Sequence, residues 1–413
     1  MVKERIIKIG IRLFLGLVLV MSLVNVASLH AFAKYDEESV SEGNNAFVFD
    51  IYAKLKDNNG NLFLSPFSIS TALAMTYAGA RGDTATQMAE VLHFALDQEH
   101  LHPAFFNLMQ GLKAEPQKSG FELSIANALW GQAGYEFHQE FIDITQRYYE
   151  AGFKEVDFKT NAEEARGIIN KWVEDETKNK IKDLIRPGIL TEYTRLVLTN
   201  AIYFKGKWAL QFKKDETKPE EFELLTGEKI KVPMMNQTEE FNYTENETLQ
   251  VLEMPYQGDR LSMVIFLPKE KKGISQLEDA LNLENIKTWL ATLRKQEVIV
   301  TMPKFKMTAE FELGATLQSL GMTDAFDKQK ADFSGIAPLT LKEGWLYIDK
   351  VVHKAFVDVN EEGTEAAAAT AVVMTEKAGE PLLIFCADHP FIFIIRDRRS
   401  GSILFIGRVM DPR

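Results

Sequence analysis

The pattern of apolar and polar positions changes character along the chain. NLFLSPFSISTALAMTYAGARGD predicts a short strand and then a helix, with Ser65 as N-cap, Pro66 at the first helical position and a stop near Gly79 or Gly82. Thr84 followed by Gln87 predicts a capping box that opens TATQMAEVLHF. Helical spacing returns in HPAFFNLMQGLKAE and EFIDITQRYYEAG, on either side of a strand, FELSIANALW. A long amphipathic helix is predicted from Ala162 to Ile185, AEEARGIINKWVEDETKNKIKDLI. Beyond it the signal turns to β, with RLVLTNAIYF, LQVLEMPY, SMVIFLP, VIVTMPKF, VHKAFVDV and LLIFCADHPFIFII. Helices and strands mix without a regular βαβ period, which predicts an α+β fold with large mixed or antiparallel sheets. No internal repeat and no Pro/Gly/Ser linker divides the chain, so one integrated domain is expected.

Composition narrows the class. The 413 residues are 46% hydrophobic and 26% charged, a globular balance with ample material for a large core. Residues 1–33 read as a secretory signal: Lys3, Arg5, Lys8 and Arg12 form a basic start, an apolar run begins at Leu13, and Ala31-Phe32-Ala33 fits a small-residue cleavage site. The alternative is an uncleaved membrane anchor. Ser22, Asn25, Ser28 and His30 count against it, because they interrupt the ~20 consecutive apolar residues a span needs. Removal of that segment takes away four positive charges and one negative one, so the formal charge moves from −12 to −15. So acidic a mature surface argues against a nucleic-acid partner. Cys386 is the only cysteine, which excludes an intrachain disulfide. It closes the apolar run LLIFC and is expected to be buried and inert.

Catalytic signatures are missing from the sequence. His30, His93, His100, His102, His138, His353 and His389 show no HExxH spacing, and there is no Gly-x-Ser-x-Gly elbow and no paired-cysteine metal site. FKGKW lacks the upstream glycine and the following Ser/Thr of a phosphate-binding loop. These observations point away from an enzyme, and no cofactor or metal is expected.

EEGTEAAAATAVVMTEKAGEP, residues 361–381, fits none of the local patterns. It joins two strand-like segments, yet it is longer than most compact loops, and loops of that length are usually functional or disordered. Its alanines favour a helix, but such a helix has no apolar stripe to bury. As a strand, Thr364, Ala366, Ala368, Thr370 and Val372 share one small, uncharged face, while Glu365, Ala367, Ala369 and Ala371 share the other. The segment is therefore able to serve as an exposed loop in one state and as an inserted strand in another, with Gly363 as the swivel.

EEGTEAAAATA resembles the proximal hinge of inhibitory serpins. The likeness extends to NLFLSPFSISTALAMTYAGARGDTATQM, LTNAIYFKGKW, VPMM, VHKAFVDVNEEG, HPFIFIIRD and ILFIGRVMDP, which together span nearly all of residues 34–413. The resemblance implies a serpin domain over 34–413, with three β-sheets, eight to nine helices and an exposed reactive-centre loop. It implies that a protease cleaves the loop as bait, is held as a covalent acyl-enzyme, and is carried along as the loop inserts into the main sheet. The hinge would comprise Glu361, Gly363, Thr364, Glu365, Ala366, Ala367, Ala368, Ala369 and Thr370. Ser65, Ser68, Asn200 and His353 match the family's shutter beneath the sheet, and Trp208, Lys304 and Glu361 match the breach where insertion begins. Each also has a local use: Ser65 as a helix cap, Trp208 as core, His353 as a satisfied core histidine.

The resemblance to typical inhibitory serpins implies that Gly363 is the fifteenth residue before the scissile bond, which puts that bond between Lys377 and Ala378, and a basic residue there suits the acidic pocket of trypsin-like proteases. Glu376 and Glu380 flank it unfavourably, and a loop one residue longer or shorter would move the bond to Glu376 or Ala378. The expected protein is a secreted monomer, periplasmic or cell-surface in a bacterium, with a serine protease as its partner and a cysteine protease as secondary target. The alternative is a non-inhibitory serpin acting as chaperone, carrier or storage protein. Asn236, Asn242 and Asn246 each begin an Asn-x-Thr sequon, whose use depends on the organism.

Overall fold

The computed structural model describes residues 33–113, 120–149, 152–339, 346–364 and 383–413. A helix over residues 33–55, α1, precedes β1 (Leu62–Leu64) and α2 (Pro66–Tyr77). Ser65 caps α2 by accepting from the Ser68 amide, and Pro66 stands where no N–H is needed. Every residue of α2 is buried, so this helix carries no polar stripe and runs through the core. The expected capping box at Thr84 and Gln87 does not form. Helix α3 (Gly82–Val91) starts earlier, and both side chains serve a distant segment: Thr84 accepts from the Asp332 amide, Gln87 from the amides of Thr323 and Asp324. Those tertiary hydrogen bonds to a distant segment take both side chains and outweigh the local motif.

The chain continues through α4 (Gln98–Lys113), β2 (Phe121–Gln132), α5 (Gln139–Tyr149), β3 (Phe153–Val156) and α6 (Phe158–Glu176). Apolar spacing predicts α6 to reach Ile185, but it stops at Glu176. Lys178 and Asn179 adopt positive φ, and the following segment folds back so that the Asn170 side chain bonds both the amide and the carbonyl of Ile185. Ile181, Leu184 and Ile185 are buried by that return, which gives them the spacing of a helix without being one.

The β-rich half holds β4 (Leu196–Lys207), β5 (Lys218–Glu223), β6 (Lys229–Glu245), β7 (Leu249–Pro255), β8 (Leu261–Pro268), α7 (Ile274–Ala280), α8 (Leu283–Thr292), β9 (Arg294–Pro303), β10 (Phe305–Glu312), α9 (Gly314–Leu320), β11 (Lys350–Asn360), β12 (Gly363–Thr364), β13 (Leu383–Cys386), β14 (Phe391–Asp397) and β15 (Ile403–Val409). Nine helices thus occur among the described residues. Counted by continuous hydrogen bonding, the described strands form two networks, one of nine strands and one of six. The larger is a pair of sheets joined through β6, which pairs with β5 and β9 along most of its length and with β7 only from Asn242 to Glu245. Within β6, the Asn236 and Asn242 amides are spent on Glu220 and Glu253, whereas Asn246 is exposed in the turn to β7.

The six-stranded sheet runs β10-β11-β12-β4-β2-β3. Its centre is a parallel contact: β11 lies beside β4 over seven register pairs, from Lys350 with Val197 to Phe356 with Tyr203. The main core, with α2, covers one face of this sheet, and a second cluster built on Trp130, Phe158, Ile169 and Tyr203 covers part of the other.

Cys386 is half-buried on β13 rather than fully buried; among the described residues β13 pairs on one side only, with β9. Burial, helped by the carboxylates of Asp388 and Glu220, pushes its thiol up to about 11. Only the thiolate is nucleophilic, so alkylation of Cys386 should be slow at pH 8 and rise about tenfold per pH unit to about pH 11. Rates measured with a neutral alkylating reagent check this, and a plateau near pH 9 would refute it.

Candidate functional site: the hinge and the seam below it

His353 on β11 and Asn200 on β4 stand opposite each other across the parallel contact. The Ser65 amide donates to His353 Nε2 at 3.1 Å, so that nitrogen is bare, and the proton sits on Nδ1, which donates to the Asn200 carbonyl. Burial, opposed by the contact with Asn200, pulls the imidazole down to about 3, which keeps it neutral. The Asn200 side-chain Nδ2 donates to Ser68 Oγ at 2.6 Å and to the side-chain Oδ1 of Asn127, its register partner on β2. Asn127 returns a bond from its amide to the Ser68 carbonyl, and Ser65 Oγ donates to the Leu404 carbonyl at 2.6 Å. Ser65, Ser68, Asn200 and His353 therefore form one hydrogen-bonded line beneath the sheet, with Asn127 as a member that sequence reasoning missed. The signal was present: Asn127 interrupts the apolar face of FELSIANALW.

At the end of β11 the chain turns through Glu361 and Glu362 and re-enters the sheet. Gly363 has a φ of +141°, and a Cβ there would lie 2.0 Å from the Gly206 carbonyl oxygen, so only glycine fits. Lys304 Nζ lies 2.9 Å from the Glu361 carboxylate, which also accepts from Thr217 Oγ1 at 2.8 Å. Burial pushes the Glu361 carboxyl up, but the hydrogen bonds from Lys304 and Thr217 outweigh it and hold the group below its usual range. Glu362 pairs with Lys214 at 2.6 Å. The backbone of the turn is held as well, with Trp208 N–H donating to the Glu362 carbonyl, Phe212 N–H to the Glu361 carbonyl, and the Trp208 indole to the Asn360 carbonyl at 3.0 Å. Trp208 stacks on Tyr256, ring centroids 4.6 Å apart.

Sequence pattern puts Thr364 at the root of an exposed loop, whereas in the structure it is fully buried within the sheet. As β12, Gly363 and Thr364 pair antiparallel with β11 on one side and with β4 on the other. Glycine's freedom at 363 reverses the chain so tightly that the next residue falls between the two parallel strands. Glu365 to Thr370, and Lys377 with Ala378, lie outside the described residues, as do residues 1–32 of the expected signal. The ion pair of Glu362 with Lys214 and the contact of Thr364 with Tyr256 were not foreseen, since their partners lie far away in sequence.

Comparison with known proteins follows this geometry. A model of the serpin (serine protease inhibitor) family matches residues 42–412. The chain is 47% identical over 390 residues to a serpin-like protein of Thermococcus kodakarensis, covering 92% of this chain and 89% of that one. It is 43% identical over 387 residues to the human leukocyte elastase inhibitor, covering 91% of this chain and all of the relative. Among solved structures it is similar to uncleaved ovalbumin, with a TM-score of 0.81 and 30% identity, covering 91% of this chain and 100% of that one. Matched along almost its whole length by that family model and by these relatives, the chain belongs to the serpin family of serine protease inhibitors.

Proposed function

We propose that the protein is an exported suicide-substrate inhibitor of trypsin-like serine proteases, with Lys377–Ala378 as the bait bond. It is not an enzyme; it is consumed by the protease it holds. The protease serine attacks the Lys377 carbonyl, the bond to Ala378 breaks, and the amine of Ala378 leaves with the serine's proton. An ester then joins the protease to Lys377. Insertion of the freed segment must outrun hydrolysis of that ester. The relative named for leukocyte elastase points to another target class; the lysine in this bait position favours a pocket with an acidic base.

The observation that carries this reading is β12, already paired on both sides at the top of the seam between β4 and β11. Extended down the seam in the same register, the segment would set Ala366 between Phe204 and Val357, and Ala368 between Ile202 and Ala355, all four fully buried. Thr370 would arrive between Asn200 and His353, with its hydroxyl available to both when their mutual bond is broken. From Thr364 to Lys377 the 14 residues span roughly 45 Å as a strand at ~3.3 Å per residue, enough to carry a protease across such a domain. In this reading Ser65, Ser68, Asn200 and His353 hold the seam shut, and Trp208, Lys304 and Glu361 hold its upper end. The uncleaved fold is then kinetically trapped above a more stable inserted one.

The protein should form an SDS-stable complex with trypsin, and Lys377→Ala should slow its formation by orders of magnitude without loss of folding. Equal rates for variant and wild type would remove the bait assignment. A faster complex with elastase would reassign the target class. Ala366→Arg should convert the inhibitor into a substrate cut at Lys377, because insertion in this register would carry a guanidinium without a partner between the fully buried Phe204 and Val357, at a cost of several kcal/mol. Gel detection of complex and cleaved inhibitor checks this, and full trapping by the variant would refute insertion as the working step. Exported protein should begin at Lys34, read by intact mass, and a mature N-terminus at Met1 would exclude a cleaved signal.

A further inference from the structure

Tyr256 follows β7 and bridges to Trp208. It is fully buried, its ring stacked on Trp208 and edge-on to Phe204 at 5.0 Å. A phenol in such a place needs a partner for its hydroxyl. That partner is Thr364, whose Oγ1 lies 3.1 Å from the Tyr256 oxygen. The space around the threonine is shaped for a small side chain. Gly206, its register partner on β4, has no side chain, and a Cβ there would stand 2.8 Å from the Tyr256 ring. The strand pairing to Val359 closes the other side.

We propose that Tyr256 is the positioning residue that receives residue 364. Its hydroxyl docks the first residue of the loop in the uncleaved chain and selects a small hydroxyl side chain there. The backbone pairings of β12 accept any residue, whereas the Tyr256 hydroxyl distinguishes threonine from valine of the same shape. With residue 364 docked, insertion would extend a strand already begun instead of nucleating one. Its consequence for protease trapping rests on the inhibitor reading above; the docking itself does not.

Hydrogen exchange of the full chain, followed by mass spectrometry over residues 359–364 and corrected for intrinsic rates, tests the docking without a protease. Tyr256→Phe and Thr364→Val should each raise exchange there about fivefold, the effect of one lost hydrogen bond. The double variant should exchange no faster than either single one, and Thr364→Ser should stay near wild type. With trypsin, the number of inhibitor molecules cleaved per trypsin trapped should rise in the same variants and return in Thr364→Ser. Unchanged exchange in both single variants, or multiplied effects in the double, would overturn the proposal. An exchange effect without any trypsin complex would support docking and remove the inhibitor reading, whereas complexes without an exchange effect would remove docking alone.

Discussion

The parallel contact between β4 and β11 is the constraint on which the rest of the molecule depends. Parallel neighbours pair slightly less favourably per residue than antiparallel ones, and each of these strands turns toward the other an edge able to take an antiparallel partner. β12 has taken that place at one end of the seam. Below it the seam is closed by the backbone ladder and by the His353–Asn200 bond. The N-terminus of α2 touches both sides: the Ser65 amide holds β11 through His353, while Ser68 holds β4 through Asn200 and β2 through Asn127. Parting the strands therefore means sliding one of them over a helix end that is itself wholly buried.

The turn above the seam is held by charge as well as by backbone. Glu361 and Glu362 are adjacent and buried, and each takes a lysine from a different element, Lys304 at the start of β10 and Lys214 from the segment after Trp208. Each of two neighbouring carboxylates thus has an ion-pair partner of its own. The swivel at Gly363 is thus flanked by two ion pairs that come from separate elements.

Much of this was legible in the sequence because the signals were local. Ser65 and Pro66 mark a helix start wherever they occur together, and VHKAFVDV or SMVIFLP is a strand by composition alone. Failures came where distant partners overrode local chemistry. Thr84 and Gln87 look like a capping box until the amides of residues 323–332 claim them, and Ile181 to Ile185 look helical until Asn170 folds them back. Within the site, resemblance supplied Ser65, Ser68, Asn200, His353, Trp208 and Lys304, but not Asn127, Tyr256 or Lys214. Tyr256 and Lys214 act through register and tertiary contact, which a single sequence does not encode as spacing, whereas Asn127 breaks the apolar face of its own strand.

The alanine segment read as undecided, and the seam supplies the physical reason. A strand entering between β4 and β11 must fit against Phe204, Ile202, Val357 and Ala355, which already pack at core density. Valine or isoleucine at residues 366 and 368 would raise strand preference but add methyl groups where little space exists, and overpacking typically costs 1–3 kcal/mol. Alanine gives up intrinsic strand preference in exchange for entry without displacement. The same choice leaves the sequence with no apolar helical face of its own to bury, so in the proposed mechanism nothing local would compete with insertion once the bond is cut. On the proposed function, a composition that favours a helix but gives it no apolar face to bury, and that has little preference for a strand, is one that can fit within the sheet without being held elsewhere.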